Sequence, residues 1–172
     1  MTHSVSPESL RANLEAFDGK SVTILSELNA RYDLIAETTH YLIELFDDAD
    51  ENIQRGSTWI MLERIKSGTK LSDDNWSALA KRISNITDWQ AALHVLQCLS
   101  QQSCPRDLAV IFSDFTNRYL DHERPFLRAW SISALHTLSQ SNPDLVEAAK
   151  RAVETGHLDQ AASVRARLRH LT

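Results

Sequence analysis

Turn-forming residues are scarce in this chain, with four glycines and four prolines in 172 residues, and cysteine is scarcer still at two. So few turn formers exclude a loop-rich or collagen-like protein and favour helices joined by brief connections. Cys98 and Cys104 cannot build a disulfide framework, and their spacing matches neither a zinc ligand set nor a Cys-x-x-Cys redox pair. No run approaches the roughly 18 apolar residues of a membrane span, and the stretch from Met1 to Ser9 lacks the basic-then-apolar order of a secretory leader. A soluble, unexported protein of the reducing cytoplasm is therefore expected, and Asn85-Ile86-Thr87 reads as a chance glycosylation sequon.

Positive charge is also in deficit. The chain carries 18 basic against 23 acidic residues, a formal net charge of −5. The excess lies in residues 1–86, which hold 9 basic and 14 acidic groups, whereas residues 87–172 hold 9 of each. Grip on a phosphate backbone depends on Lys and Arg, so this balance argues against nucleic acid as a partner. Apolar residues, by contrast, make up 42% of the chain, enough at this length for a core without staples. One domain over residues 1–172 is expected.

Apolar stripes of helical period recur along the chain, each opened by a capping residue or a proline at the first helical position. Ser6-Pro7-Glu8 opens the first helix, which Gly19 can close. A second runs from Lys20 to Tyr32, with Val22, Leu25 and Leu28 on one face. A third runs from Asp33 to Phe46, with Leu34, Tyr41, Leu42 and Leu45. Further helices are predicted over 52–66, 73–84, 88–101, 106–120, 126–140, 144–155 and 160–171. Gly68 and Gly156 fall where C-caps belong, Thr87 with Gln90 spells a capping box, and Asn142-Pro143-Asp144 pairs an N-cap with proline. The acidic run Asp47-Asp48-Ala49-Asp50-Glu51 lacks the glycine and terminal Glu of an EF-hand and reads as a capping turn.

A period then emerges. The segment Leu127-Arg128-Ala129-Trp130-Ser131-Ile132-Ser133-Ala134-Leu135-His136-Thr137-Leu138, with Leu120, Asp121 and Pro125 before it, resembles the HEAT-repeat signature. With Arg128 as register point, earlier units align on Trp89 and Arg55 and the last on Arg165; Asp48 precedes Arg55 by the interval that separates Asp121 from Arg128. Lys20 to Tyr32 keeps the apolar pattern without the Arg. The resemblance implies an all-α fold, a right-handed α-solenoid of about five antiparallel helix pairs with an atypical first pair; armadillo-like and irregular helical bundles are the rival arrangements. It also implies that Arg55, Asp121 and Arg128 serve the scaffold through ion pairs or caps between adjacent repeats.

Residues that could carry chemistry do not converge. The seven histidines lack HxxxH or HxxH spacing, and His122-Glu123 alone cannot supply the di-iron site of the HEAT-like deoxyhypusine hydroxylases. Trp59, Trp76, Trp89 and Trp130 admit an alternative, a HEAT-like nucleic-acid-binding protein or an enzyme like the alkylpurine DNA glycosylases, but the charge balance opposes it. No serine elbow or phosphate-binding glycine loop is present, and neither cysteine has an evident base beside it. No catalytic residue, metal ligand or cofactor is assigned.

What remains is a surface. If the second helix of each pair lines the inner curve, its solvent face carries Glu63 in one unit, then Gln90, His94, Gln97 and Gln101, then Ser133, His136 and Gln140, with Ala129, Gly56, Ile60 and Ser67 on the same stripes. Such a polar, mostly uncharged face suits hydrogen bonding to a protein or peptide. A small adaptor, an assembly subunit or an immunity-type inhibitor is the expected function.

Overall fold

The computed structural model describes residues 5–33 and 35–171. They form ten α-helices and no β-structure: α1 (Pro7–Leu14), α2 (Val22–Tyr32), α3 (Thr38–Glu44), α4 (Glu51–Lys66), α5 (Asp73–Arg82), α6 (Trp89–Leu99), α7 (Ala109–Asn117), α8 (Pro125–Ser141), α9 (Val146–His157) and α10 (Ala162–Leu168). Short 3-10 turns extend α5 at Ile83–Asn85 and precede α9 at Pro143–Leu145. Contacts within the chain divide into two compact units, Met1–His94 and Val95–Thr172. Leu34, expected on an apolar face, lies outside the described residues.

In the first unit, local chemistry sets most helix ends. Ser6 and Ser9 close a reciprocal capping box at α1, and Asp50 accepts from the Asn52 amide at the start of α4. Ser72 accepts from Asn75 at α5, which carries Asp73 and Asp74 in its first turn and Lys81 and Arg82 in its last, as the helix dipole favours. Gly68, at φ +104°, ends α4: the Gly68 and Thr69 amides bond back to Ile65 and Arg64, a Schellman closure that a side chain at this φ would strain. Helix α3 packs on α4 and α5, α1 packs on α3 and α4, and α2 packs on α4. The core holds Leu14, Phe17, Leu25, Leu42, Ile43, Phe46, Ile53 and Met61.

Helix α4 is buried on more sides than one inward stripe would require. Gly56 and Ile60, expected on the solvent face, are both buried; a Cβ on Gly56 would stand 2.9 Å from Leu14 and 3.2 Å from Leu25. The capping box expected of Thr87 and Gln90 is replaced by Asp88, whose carboxylate accepts from the Ala91 amide at 2.8 Å.

In the second unit α8 packs on α7, α9 and α10, and α9 packs on α10. Ala129, Ile132, Val164 and Leu168 form one buried cluster, joined by Leu120, Ala152 and Val153. Arg167 lays its guanidinium 3.7 Å from the centre of the Trp130 ring, and its Nε donates to Ser133 Oγ at 3.0 Å, clamping α10 onto α8. Gly156 is not a C-cap: it lies inside α9, buried, where a Cβ would collide with Leu168 and approach Ile132 to 2.7 Å. Gly156→Ala should therefore cost about 1–3 kcal/mol in urea unfolding. Leu135→Ala, which opens a cavity at a fully buried site, should cost about 2–5 kcal/mol. A neutral Gly156→Ala would show that the Leu168 and Ile132 side-chain ends turn aside at little cost.

Candidate functional site

The loops between helices carry polar backbone groups that need partners, and the same device supplies them in both units. In the first unit Arg11 on α1 grips Asp48 with two nitrogens, Nε to Oδ2 at 2.7 Å and NH2 to Oδ1 at 3.2 Å. Asp48 in turn accepts from the Asp50 amide at 2.9 Å. Burial alone would raise the Asp48 carboxyl, but Arg11 and the Asp50 amide hold it below the usual range. Arg55 on α4 repeats the grip on Asp88, at 3.2 and 2.7 Å, while its NH1 donates to the Gly19 carbonyl at 3.0 Å. The buried Gln54 joins the two loops. Its Nε2 donates to the Asp48 carbonyl at 2.8 Å, and its Oε1 accepts from the Thr87 and Asp88 amides at 3.0 and 3.1 Å.

In the second unit Arg128 on α8 takes Asp159 at 2.7 and 2.8 Å and donates from NH1 to the His122 and Glu123 carbonyls at 2.7 and 3.1 Å. Asp159 accepts from the Ala161 amide at 2.8 Å, and the Arg128 guanidinium holds its carboxyl below the usual range. Arg55 and Arg128 thus serve the scaffold as the repeat pattern implies, but each reaches the acid of a later loop rather than the one before its own helix. Arg11 joins the series from α1, whereas sequence alignment sought it within Lys20 to Tyr32.

Next to the Arg128–Asp159 pair lies an open cleft of about 790 Å³. Ile132 and Leu135 of α8 and Ala148, Ala152 and Gly156 of α9 form its apolar part, with Leu120 and Leu158 at the loops. Asp121, Glu123 and Arg151 add exposed charge of both signs. Leu158 is 85% exposed, the most exposed of the large apolar side chains described. The repeat pattern assigns Asp121 to the scaffold, and sequence reading weighs Glu123 with His122 as a metal ligand; both acids instead lie exposed at the cleft. Leu158 was missed because it follows α9 and belongs to no periodic stripe.

The polar ridge expected from sequence is only partly presented. In the first unit Glu63 is half-buried and paired with Lys66 at 2.7 Å, and Gln90 is half-buried. His94 is largely enclosed: its Nδ1 lies 3.1 Å from Thr58 Oγ1, and burial pushes the imidazole down to about 4. In the second unit Ser133 is 1% exposed, a correction to its expected place on the surface, because α10 covers that side of α8; Ala129 is buried with it. Gln97 and His136 are half-buried, while Gln101 and Gln140 are exposed. Gln101 donates to the Gln97 carbonyl at 3.1 Å, and Gln140 Nε2 lies 3.5 Å from His136 Nε2. Thr137 on α8 donates to the carbonyl of Ser100, just past the end of α6, at 3.2 Å.

The remaining titratable candidates are occupied by packing. Cys98 and Cys104 are buried free thiols, and burial raises the Cys104 thiol to about 11, far from the thiolate that nucleophilic chemistry requires. Among the described residues no group of three or more His, Cys, Asp or Glu is placed to hold a metal ion, and no helix is long and apolar enough to cross a membrane.

Two outcomes follow from this polar wiring. Because His94 is neutral when folded and its imidazole falls from 6.5 to about 4, the unfolded chain binds the extra proton between those values. Stability should rise with pH across that window, and acidification from neutrality to about pH 4.5 should cost roughly 2 kcal/mol more in the parent than in His94→Gln. Identical pH profiles for the two proteins would contradict the burial of that ring. Gln54→Ala, which strips the Thr87 and Asp88 amides of their acceptor, should cost about 1–3 kcal/mol in thermal or urea unfolding. No family model, curated protein or solved structure matches this chain.

Proposed function

We propose that the chain is a non-enzymatic interaction module, a HEAT-like stack of helix pairs, that binds a segment of a protein partner in the cleft between α8, α9 and the loops at Asp121 and Leu158. The cleft is the observation that carries this reading. An apolar floor beside a Leu at 85% exposure, rimmed by Asp121, Glu123 and Arg151, suits a peptide with one apolar anchor flanked by polar groups. The repeat reading is supported by the recurring Arg-to-Asp grip, which joins residues 37, 33 and 31 apart in sequence and each time takes an Asp that also caps the following turn. Fold analogy adds the expectation that such scaffolds act by binding.

The cleft is preferred to the full polar ridge because Ser133 and much of His94 are covered. Nucleic acid is disfavoured by the acids on the rim and by the commitment of Arg128 to Asp159. A displayed peptide library panned against the purified protein should yield binders with an apolar anchor. Leu158→Glu should weaken them by about tenfold or more, as loss of a well-packed anchor does. Gln101→Ala with Gln140→Ala should leave their affinity within about twofold, as rim contacts do. The reverse pattern would move the site to the α6 and α8 faces, and a salt-sensitive shift of labelled DNA or RNA without any peptide binder would favour the nucleic-acid alternative.

A further inference from the structure

Asp18 caps the turn before α2 in the way that Asp48 and Asp159 cap theirs. Its Oδ1 accepts from the Lys20 and Ser21 amides at 2.9 and 2.8 Å, where Asp48 accepts from Asp50 and Asp159 from Ala161. Asp48 and Asp159 are each also held by an arginine fork; Asp18 is exposed, and among the described residues no guanidinium pairs with it. At the other extreme of the series stands Arg165. Its NH1 donates to the Asp159 and Gln160 carbonyls, six and five residues before it, as Arg128 donates to His122 and Glu123. Arg128 then closes its remaining nitrogens on a carboxylate. Arg165 is exposed, and among the described residues its Nε and NH2 meet none.

We infer that copies of this chain associate head to tail, with Arg165 of one copy gripping Asp18 of the next as Arg128 grips Asp159. The inference rests on the repeat reading above and is independent of what the cleft binds. Guanidinium and carboxylate match as a bidentate pair, and Asp18 is already oriented by its two amide bonds. The surrounding charge agrees: residues 5–33 hold five acids against three bases, and residues 157–171 hold one acid against three arginines. Opposed fields of this kind steer association and fix its register. The two patches differ, so the contact is heterologous and each copy can engage two neighbours.

Sedimentation velocity on the full chain tests this, using the parent, Arg165→Gln and Asp18→Asn, the last of which keeps a capping oxygen. The parent's average mass should rise from micromolar to millimolar concentration at low salt and fall back at about 0.5 M salt, where charges are screened over a few ångströms. Either variant alone should associate about tenfold more weakly or worse. An equimolar mixture of the two retains one intact contact, Arg165 of the Asp18→Asn copy with Asp18 of the Arg165→Gln copy, and should stop at a one-to-one dimer. A parent that stays monomeric, a variant that associates like the parent, or a mixture that stays monomeric or grows past the dimer would overturn the proposal. Leu158→Ala, which adds no charge beside Arg165, separates the two readings: it should leave self-association unchanged, and its abolition by this variant would place the neighbouring copy in the cleft instead.

Discussion

The scaffold depends on an arginine whose planar fork closes on an aspartate from a later loop, while that aspartate fixes the loop's own backbone amide. A helix pair leaves its connecting loop with amides and carbonyls that burial would orphan, at a cost of about 1–3 kcal/mol for each unsatisfied group. Arg55 and Asp88 answer several of these at once: the carboxylate takes the Ala91 amide and two guanidinium nitrogens, and the third nitrogen takes the Gly19 carbonyl. Arg128 and Asp159 repeat the arrangement. Bidentate geometry makes the pairing directional, so it fixes the placement of one loop against the next in a way that apolar packing alone does not.

This commitment shapes the surface. Arginines that a sequence reader could assign to a ligand are closed on carboxylates of the same chain, and their charge is locally neutralised. The mixed cleft of the second unit sits beside one such pair, so its rim is held by Arg128 while its floor remains apolar. The Arg128 guanidinium on that rim is occupied by Asp159 of the same chain. Enclosure of His94 and Cys104 works the same way, since desolvation keeps the imidazole uncharged and the thiol protonated near neutrality.

Much of this was legible in the sequence because it is local. Helix existence followed from apolar period and from caps such as Ser6 and Asn142, whose effect acts within one turn. Arg55 and Arg128 stood out by spacing. Their partners did not, because Asp88 and Asp159 lie 33 and 31 residues away and nothing local distinguishes them from other acids. A single-face model of each helix failed where a helix is covered on several sides: Gly56 and Ile60 are buried in α4, and Ser133 in α8. Gly156 misled for a related reason, since glycine serves close helix approach as well as a helix end. Leu158 was invisible as a site residue because exposure depends on the fold around it, not on its neighbours in sequence.

A double-mutant cycle on Arg55 and Asp88 tests the central claim most directly. Arg55→Ala, Asp88→Ala and the double variant, compared by urea unfolding, isolate the coupling between the two side chains. A desolvated bidentate pair, with Asp88 side-chain exposure of only 2%, predicts a coupling above about 1.5 kcal/mol. A coupling below about 0.5 kcal/mol, the level of an ordinary exposed ion pair, would show that the loops are held by packing and that the arginine fork is incidental.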